Sequence, residues 1–424
     1  MDKLEAQMRL AFDGMAAVGV TIGAELNRGE LDYLYEEGCL LVRDQYLDRV
    51  REVVGGGEVA DGLIDGVSLY SLDGADLGKV TAALPAIDRS LGTGIAAPNH
   101  VLSVAPGGLC PACEPAPVAP RTQVTPSLRG DDGGTGASIC VVDTGLVAEA
   151  TESHPWLAGV TGDEEKLPAD AAGRVTIPPY AGHGTFIAGV ARCVAPGADV
   201  RVLNEFSVAG VTLESSLVLG LERAWCYSPD IISLSAGGNT RGDLPPLGLS
   251  TLMERYRQRK GTLIVAAAGN NGERRPFWPA AFTDVLAVGA LDPSQRRRAT
   301  WSGYGSWVDV YAPGTDLVNA FVSGTYTYTE PPLVGAVREF DGMARWSGTS
   351  FATPLVAGLI ADRMSRTGCG ARQAAGEMLV LARECAIPGV GPVLVALRLS
   401  RGILPGGRRP PGLPVPCSVS HKRG

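Results

Sequence analysis

The sequence predicts an α/β protein: a mostly parallel sheet with helices on both faces, preceded by a small N-terminal α+β domain. Three observations carry this expectation. Apolar runs of strand length alternate with helical patterns from residue 137 onward, a stretch dense in Pro and Gly runs from Ala105 to Gly136, and shorter strand-like and helix-like runs precede that stretch. At 424 residues the chain exceeds one average domain of about 100–150 residues, so one large unit and one small unit is the natural partition.

In the first part, Gly38 to Val42 reads as a strand, Asp44 to Val54 as a helix, Val67 to Leu72 as a strand, Leu77 to Leu91 as a helix and His100 to Val104 as a strand. Leu4, Met8, Leu10 and Phe12 have helical spacing, but their place in this unit is not fixed by the pattern. The stretch from Ala105 to Gly136 cannot sustain helix or central strand and marks the domain boundary. Beyond it, Ala137 to Val142, Val200 to Glu205, Ile231 to Ser235, Thr262 to Ala268, Val285 to Leu291 and Trp307 to Tyr311 are expected strands. Helices are expected after His183, Leu213, Leu249 and Ser350. Continuous Val/Ile/Leu strands separated by helices indicate a sheet covered on both faces, with ligands bound beyond the carboxyl ends of its strands. From Arg398 the tail is rich in Pro, Gly and Arg and reads as extended or disordered. The expected partition is therefore 1–104, a linker 105–136, a large domain 137–397 and a tail 398–424.

Composition narrows the function classes. Hydrophobic residues at 45% and charged residues at 19% supply a core and exclude a disordered chain. The net charge of -8, from 45 acidic and 37 basic residues, gives no reason to expect nucleic acid, so the expected partners are polypeptides. No run reaches the ~18–20 apolar residues of a membrane helix. Arg9, Asp13 and Gly14 interrupt the first apolar stretch, so no secretory signal is expected. The corresponding expectation is a cytoplasmic protein that does not engage a membrane, with secretion by another route left open. Nine Cys without a regular framework fit a reducing compartment, and the pair Cys110 and Cys113 reads as linker thiols rather than a metal or redox site.

Four motifs carry chemistry. Asp143 ends the apolar run Ala137 to Val142 and is followed by Thr144 and Gly145, which places a carboxylate at a strand's carboxyl end. Alone, such an Asp is more often a turn former or helix cap, and Asp-Thr-Gly also serves aspartic peptidases; those need two such carboxylates, this sequence has no second copy, and the α/β pattern argues against a homodimer of that all-β kind supplying one. His183 lies between Gly182 and Gly184 before an apolar helical face, a setting that suits a general base. The other three histidines, at 100, 154 and 421, lack it. Ser350 lies in Ser347-Gly348-Thr349-Ser350-Phe351-Ala352-Thr353-Pro354. Pro354 is tolerated because first-turn amides have no intrahelical partner, so Ser350 falls at a helix N-terminus as either a cap or a nucleophile. Asn270, in a Gly-flanked turn after Val265 to Ala268, is either a turn residue or a donor to a developing oxyanion.

Together, Val-Val-Asp-Thr-Gly, Gly-His-Gly-Thr and Ser-Gly-Thr-Ser-Phe-Ala-Thr-Pro, in the order Asp, His, Ser, resemble the motifs of the subtilisin-like serine peptidases, or subtilases, over roughly residues 135 to 390. The resemblance implies a catalytic triad of Asp143, His183 and Ser350, with Asn270 donating to the oxyanion. It implies that Leu234, Ser235, Ala236 and Gly237 form a substrate-binding strand and that Phe277 walls the main specificity pocket. Phe186 stands where a second His is often seen, and Phe351 where Met is common. The first domain resembles a subtilase propeptide, with self-cleavage expected between Ala105 and Gly136; a stable docking domain is the competing reading. No cofactor or metal is required. Relatives often bind structural calcium, but no compact carboxylate-rich loop in this chain indicates it. Alternative readings are a catalytically inactive binding protein on the same scaffold, and an esterase or peptide ligase using the same acyl-enzyme. Oligomeric state is left open.

Overall fold

A computed structural model describes residues 3–104, 113–119, 122–206, 209–258 and 261–395. Cys110 and the tail expected from residue 398 lie outside the described residues.

The first unit begins with α1 (Lys3–Ala17), followed by β1 (Ile22–Asn27), β2 (Glu30–Arg43), α2 (Leu47–Val54), β3 (Glu58–Ile64), β4 (Val67–Ser71), α3 (Val80–Leu91) and β5 (Ala96–Ser103). Val80, Ala83, Leu84 and Ile87 line the buried side of α3 at helical spacing, and Val50 and Val54 do the same on α2. Gly55 ends α2 at a φ of 80°, a left-handed conformation that favours glycine. These faces close on Leu40, Val42, Tyr70 and Leu72 of the sheet to make the unit's own core.

The large unit contains β6 (Ser138–Asp143), α4 (His183–Val194), β7 (Asp199–Asn204), β8 (Val211–Leu213), α5 (Glu214–Cys226), β9 (Ile231–Leu234), α6 (Leu247–Tyr256), β10 (Leu263–Ala267), β11 (Val285–Leu291), β12 (Val310–Pro313), α7 (Thr349–Thr367) and α8 (Ala371–Glu384). Its sheet runs β12-β11-β10-β9-β6-β7, with Thr161–Gly162 at the edge, and every pairing is parallel. Every residue of β9, β10, β11 and β12 is buried, as required of a sheet covered on both faces. The strands flanking β6 come later in the chain on both sides, so the strand order reverses there. In such sheets ligands bind beyond the carboxyl ends of the strands at this switch point. Asp143 closes β6, and Ser235 directly follows β9.

The expected strands of the large unit stand within three residues of their observed ends; the last begins at Val310 instead of Trp307. The helix expected after Leu249 begins at Leu247. Three features escape the sequence pattern. β3 is exposed over most of its length and so has no apolar alternation. α8 buries mainly alanines (371, 374, 375 and 382), which carry little hydrophobic signal. Residues 317–346 form short antiparallel ribbons too brief for a periodicity to show.

The two units share one sheet. Its order is β8-β5-β2-β4-β3 with β1 on β2, so β8 of the large unit extends the small unit's antiparallel sheet. Polar bonds fix the junction. The Asn99 side chain accepts from the Ser215 amide at 3.0 Å and so caps the start of α5. The fully buried Glu214 meets His100 Nδ1 at 2.7 Å and accepts from the amides of Gly248 and Leu249 at the start of α6. The Arg241 amide donates to His100 Nε2 at 3.3 Å, which makes Nδ1 the protonated nitrogen of the neutral ring. His100→Ala strands a buried carboxylate, so a loss of about 3–5 kcal/mol is expected, read as a lower urea midpoint of the full chain. An unchanged midpoint would show that Glu214 is solvated in the variant.

Candidate active site

The turn after β6 approaches the start of α4 closely enough that a Cβ on Gly184 would sit 2.5 Å from the Gly145 carbonyl oxygen. This proximity brings Asp143 and His183 together. Oδ1 of Asp143 lies 2.7 Å from Nδ1 of His183, and neither side chain is exposed. The Thr144 amide donates to the same carboxylate oxygen at 2.9 Å. The Gly184 amide donates to the Thr144 hydroxyl at 3.1 Å, tying the two backbones. With Nδ1 committed to the carboxylate, Nε2 is the free face of the imidazole, and among the described residues it has no partner.

His183 is held by aromatic rings. Trp346 and Phe351 each lie 5.3 Å from its ring centre, and Phe186 packs 4.6 Å from Phe351. The two residues that depart from the family pattern, Phe186 and Phe351, are therefore partners in one packing cluster behind the imidazole.

Ser350 is the second residue of α7, whose first turn is buried and whose Pro354 needs no intrahelical donor. The Ser235 hydroxyl donates to the Ser350 carbonyl at 2.8 Å, joining the segment after β9 to the start of α7. Asn270 is oriented unambiguously. Its Oδ1 accepts from the Thr349 amide at 2.8 Å and the Thr349 hydroxyl at 3.0 Å, so Nδ2 faces away from them and is buried without a partner among the described residues. Unmatched buried donors cost free energy, about 1–3 kcal/mol each, and are found where a site awaits a ligand. The Ser350 hydroxyl donates to the carbonyls of Ser235, at 3.3 Å, and Val104, at 3.4 Å, rather than to His183. In resting sites the bond between nucleophile and base is often long and tightens with substrate.

The Val104 contact shows what fills the cleft. The end of β5 runs between β8 and the segment after β9: Ser103 exchanges both backbone hydrogen bonds with Gly237, at 2.9 and 3.0 Å, and the Val104 amide donates to the Gly210 carbonyl at 2.9 Å. Leu102 and Val104 are fully buried there. Of the segment Leu234 to Gly237, Gly237 makes the strand pairing, while Ser235 holds α7. Phe277 is buried against Gly237 and Gly269: a Cβ on either would lie 2.5 or 2.9 Å from its ring. The parts played by Thr144 and Thr349 are absent from the motif reading. Both threonines sit inside the quoted motifs, but only the fold shows that they orient the side chains beside them.

A parallel α/β sheet with a buried Asp–His pair, a serine at a helix start and an unmatched amide donor beside it defines the serine-hydrolase class of site. Residues 134–373 match the family model described as Subtilase family, and the chain belongs to that family. It is 33% identical over 237 residues to thermitase of Thermoactinomyces vulgaris, covering 53% of this chain and 74% of thermitase. It is 32% identical over 248 residues to the thermophilic serine proteinase of Bacillus sp. (strain AK1), covering 54% of this chain but only 52% of that protein. The chain thus spans about half the length of some of the relatives it matches. Among solved structures, fervidolysin from Fervidobacterium pennivorans, a keratinolytic enzyme related to subtilisin, aligns with a TM-score of 0.59 at 21% identity. That alignment covers 90% of this chain and 63% of fervidolysin, and it speaks for the fold alone. No helix among the described residues is long and apolar enough to cross a membrane.

Proposed function

We propose that the chain is a serine endopeptidase that hydrolyses polypeptides through an acyl-enzyme on Ser350. One observation carries the reading: a peptide strand of the chain itself lies in the cleft with the Val104 carbonyl beside the Ser350 hydroxyl. His183 Nε2 takes the Ser350 proton, Ser350 attacks the peptide carbonyl, and Asn270 Nδ2 with the Ser350 amide holds the oxyanion. Asp143 keeps Nδ1 protonated and offsets the charge of the imidazolium. His183 then gives the proton to the leaving amine, and water repeats the sequence on the ester. The chemistry requires no metal or cofactor.

The first unit acts in this reading as a propeptide-like strand donor. It presents the bond after Val104, at the edge of the interval from Ala105 to Gly136. A substrate adds as a strand in the same way, its backbone paired with Gly237 and β8. Mass spectrometry of the purified chain, before and after a fluorophosphonate, tests the proposal. The expected result is a fragment ending at Val104 and a single adduct on Ser350. An intact chain with no adduct overturns it.

Phe277 sets the proposed side-chain preference by filling the space beside Gly237 and Gly269. Phe277→Ala is expected to cost about 3–5 kcal/mol of stability and to shift cleavage toward larger side chains. Profiling of peptide-library products checks this, and an unchanged profile removes Phe277 from the pocket.

A further inference from the structure

The mechanism leaves unused a carboxyl group next to the Asp143–His183 pair. Glu165 follows the edge strand Thr161–Gly162, and its own amide donates to the Leu146 carbonyl at 3.0 Å. Its Oε2 accepts from the Gly182 amide at 2.9 Å and from the Thr144 hydroxyl at 3.3 Å. Gly182 directly precedes His183, and Thr144 directly follows Asp143. The Thr144 hydroxyl in turn accepts from the amide of Gly184, on the other side of His183. One carboxyl oxygen thus joins the backbone on both sides of His183 to the residue after Asp143. Gly182 has a φ of 78°, so this turn is one that the helix alone does not hold.

We infer that Glu165 is a positioning residue that locks the Asp143 turn and the start of the His183 helix into one rigid unit. The inference rests on the peptidase reading above, since it assigns Glu165 a part in orienting that reaction's base. Withdrawal from water, reinforced by Asp143, pushes its carboxyl up to about 8, against the bonds from Gly182 and Thr144. Asp143 is the charged group that acts on its carboxyl; His183 follows the bonded Gly182, and Asp163, Glu164 and Lys166 are its chain neighbours, Asp163 being held by Arg223 at 2.7 Å. Near neutrality Glu165 therefore clamps without adding charge. When it ionises, it places a negative charge close to the pair that becomes an imidazolium in the transition state, and that charge favours the transition state. The folded chain keeps this proton up to about 8 while the unfolded chain releases it near 4.5, so the stability contributed by the group is lost as pH rises between those values.

Glu165→Gln preserves an oxygen acceptor for both bonds and abolishes titration; Glu165→Ala removes the clamp. In the full chain after self-processing, kcat and KM on an aliphatic peptide anilide are measured across the neutral and alkaline range, with thermal midpoints at each pH. Near neutrality Glu165→Gln is expected to match the wild type. Glu165→Ala is expected to lose about 10–100-fold in kcat with KM nearly unchanged, the scale of a small misplacement of the base. Above about 8 the wild-type kcat rises a further step that Glu165→Gln lacks, and the midpoint advantage of Glu165→Gln grows from acid to alkaline pH. An active wild type whose two variants share its kcat and pH profile overturns the role of Glu165 alone. An inactive wild type overturns the peptidase reading and this inference with it.

Discussion

Ser350→Ala is expected to lower kcat by about 10⁶-fold, a magnitude known from subtilisin itself, and to leave the chain uncut after Val104. The reason is local. In the proposed mechanism this hydroxyl, which lies beside the Val104 carbonyl, supplies the oxygen of the ester, and without it residual rate comes from the oxyanion donors and binding. Stability should hardly change, because the hydroxyl's two hydrogen bonds are long, at 3.3 and 3.4 Å, and a typical bond contributes about 1 kcal/mol. The variant therefore keeps its fold with the strand Val101–Val104 still in the cleft. Gel analysis of processing, peptide hydrolysis and a denaturation curve together check the prediction. Continued processing by purified Ser350→Ala would assign the cut to another enzyme and remove self-cleavage from the proposal.

Asn270→Leu is expected to cost about 10²–10³-fold in kcat with little change in KM, the effect of losing one oxyanion donor in subtilisin itself. The asymmetry follows from the geometry. Among the described residues Nδ2 is unmatched, and in the proposed mechanism the charge it would meet on the substrate oxygen appears only in the transition state. The substitution also removes the acceptor for the Thr349 amide and hydroxyl. A companion variant, Thr349→Val, loses the hydroxyl bond alone and separates helix anchoring from oxyanion stabilisation. A rise in KM with unchanged kcat for Asn270→Leu would place the amide in substrate binding instead.

How much of this was legible without coordinates depends on the reach of each signal. The strands of the parallel sheet were readable because burial on both faces demands unbroken apolar runs, as in Ile231–Leu234 and Leu263–Ala267. The helix starts at His183 and Ser350 were readable because glycine and proline constrain the backbone locally. β3 and α8 were not, since an exposed edge and an alanine-lined face bury too little hydrophobic surface to leave a pattern. The Phe186 and Phe351 departures illustrate the same divide. Each is a separate oddity along the chain, and only packing shows that they touch one another behind His183.

The amino-acid sequence alone determined which groups are available for chemistry and on what kind of element each sits, because residue type, turn propensity and helix starts are local properties. Tertiary structure alone decided that the Asp143 carboxylate meets Nδ1 of His183, that the Thr349 amide and hydroxyl engage Oδ1 of Asn270, that Val104 comes to rest beside Ser350 and that Glu165 bridges the residues flanking the pair. Each of these contacts joins segments that no local rule relates. They exist because the parallel strands deliver their carboxyl ends to a single edge, beside which the first unit's last strand docks by bridging Ser103 to Gly237.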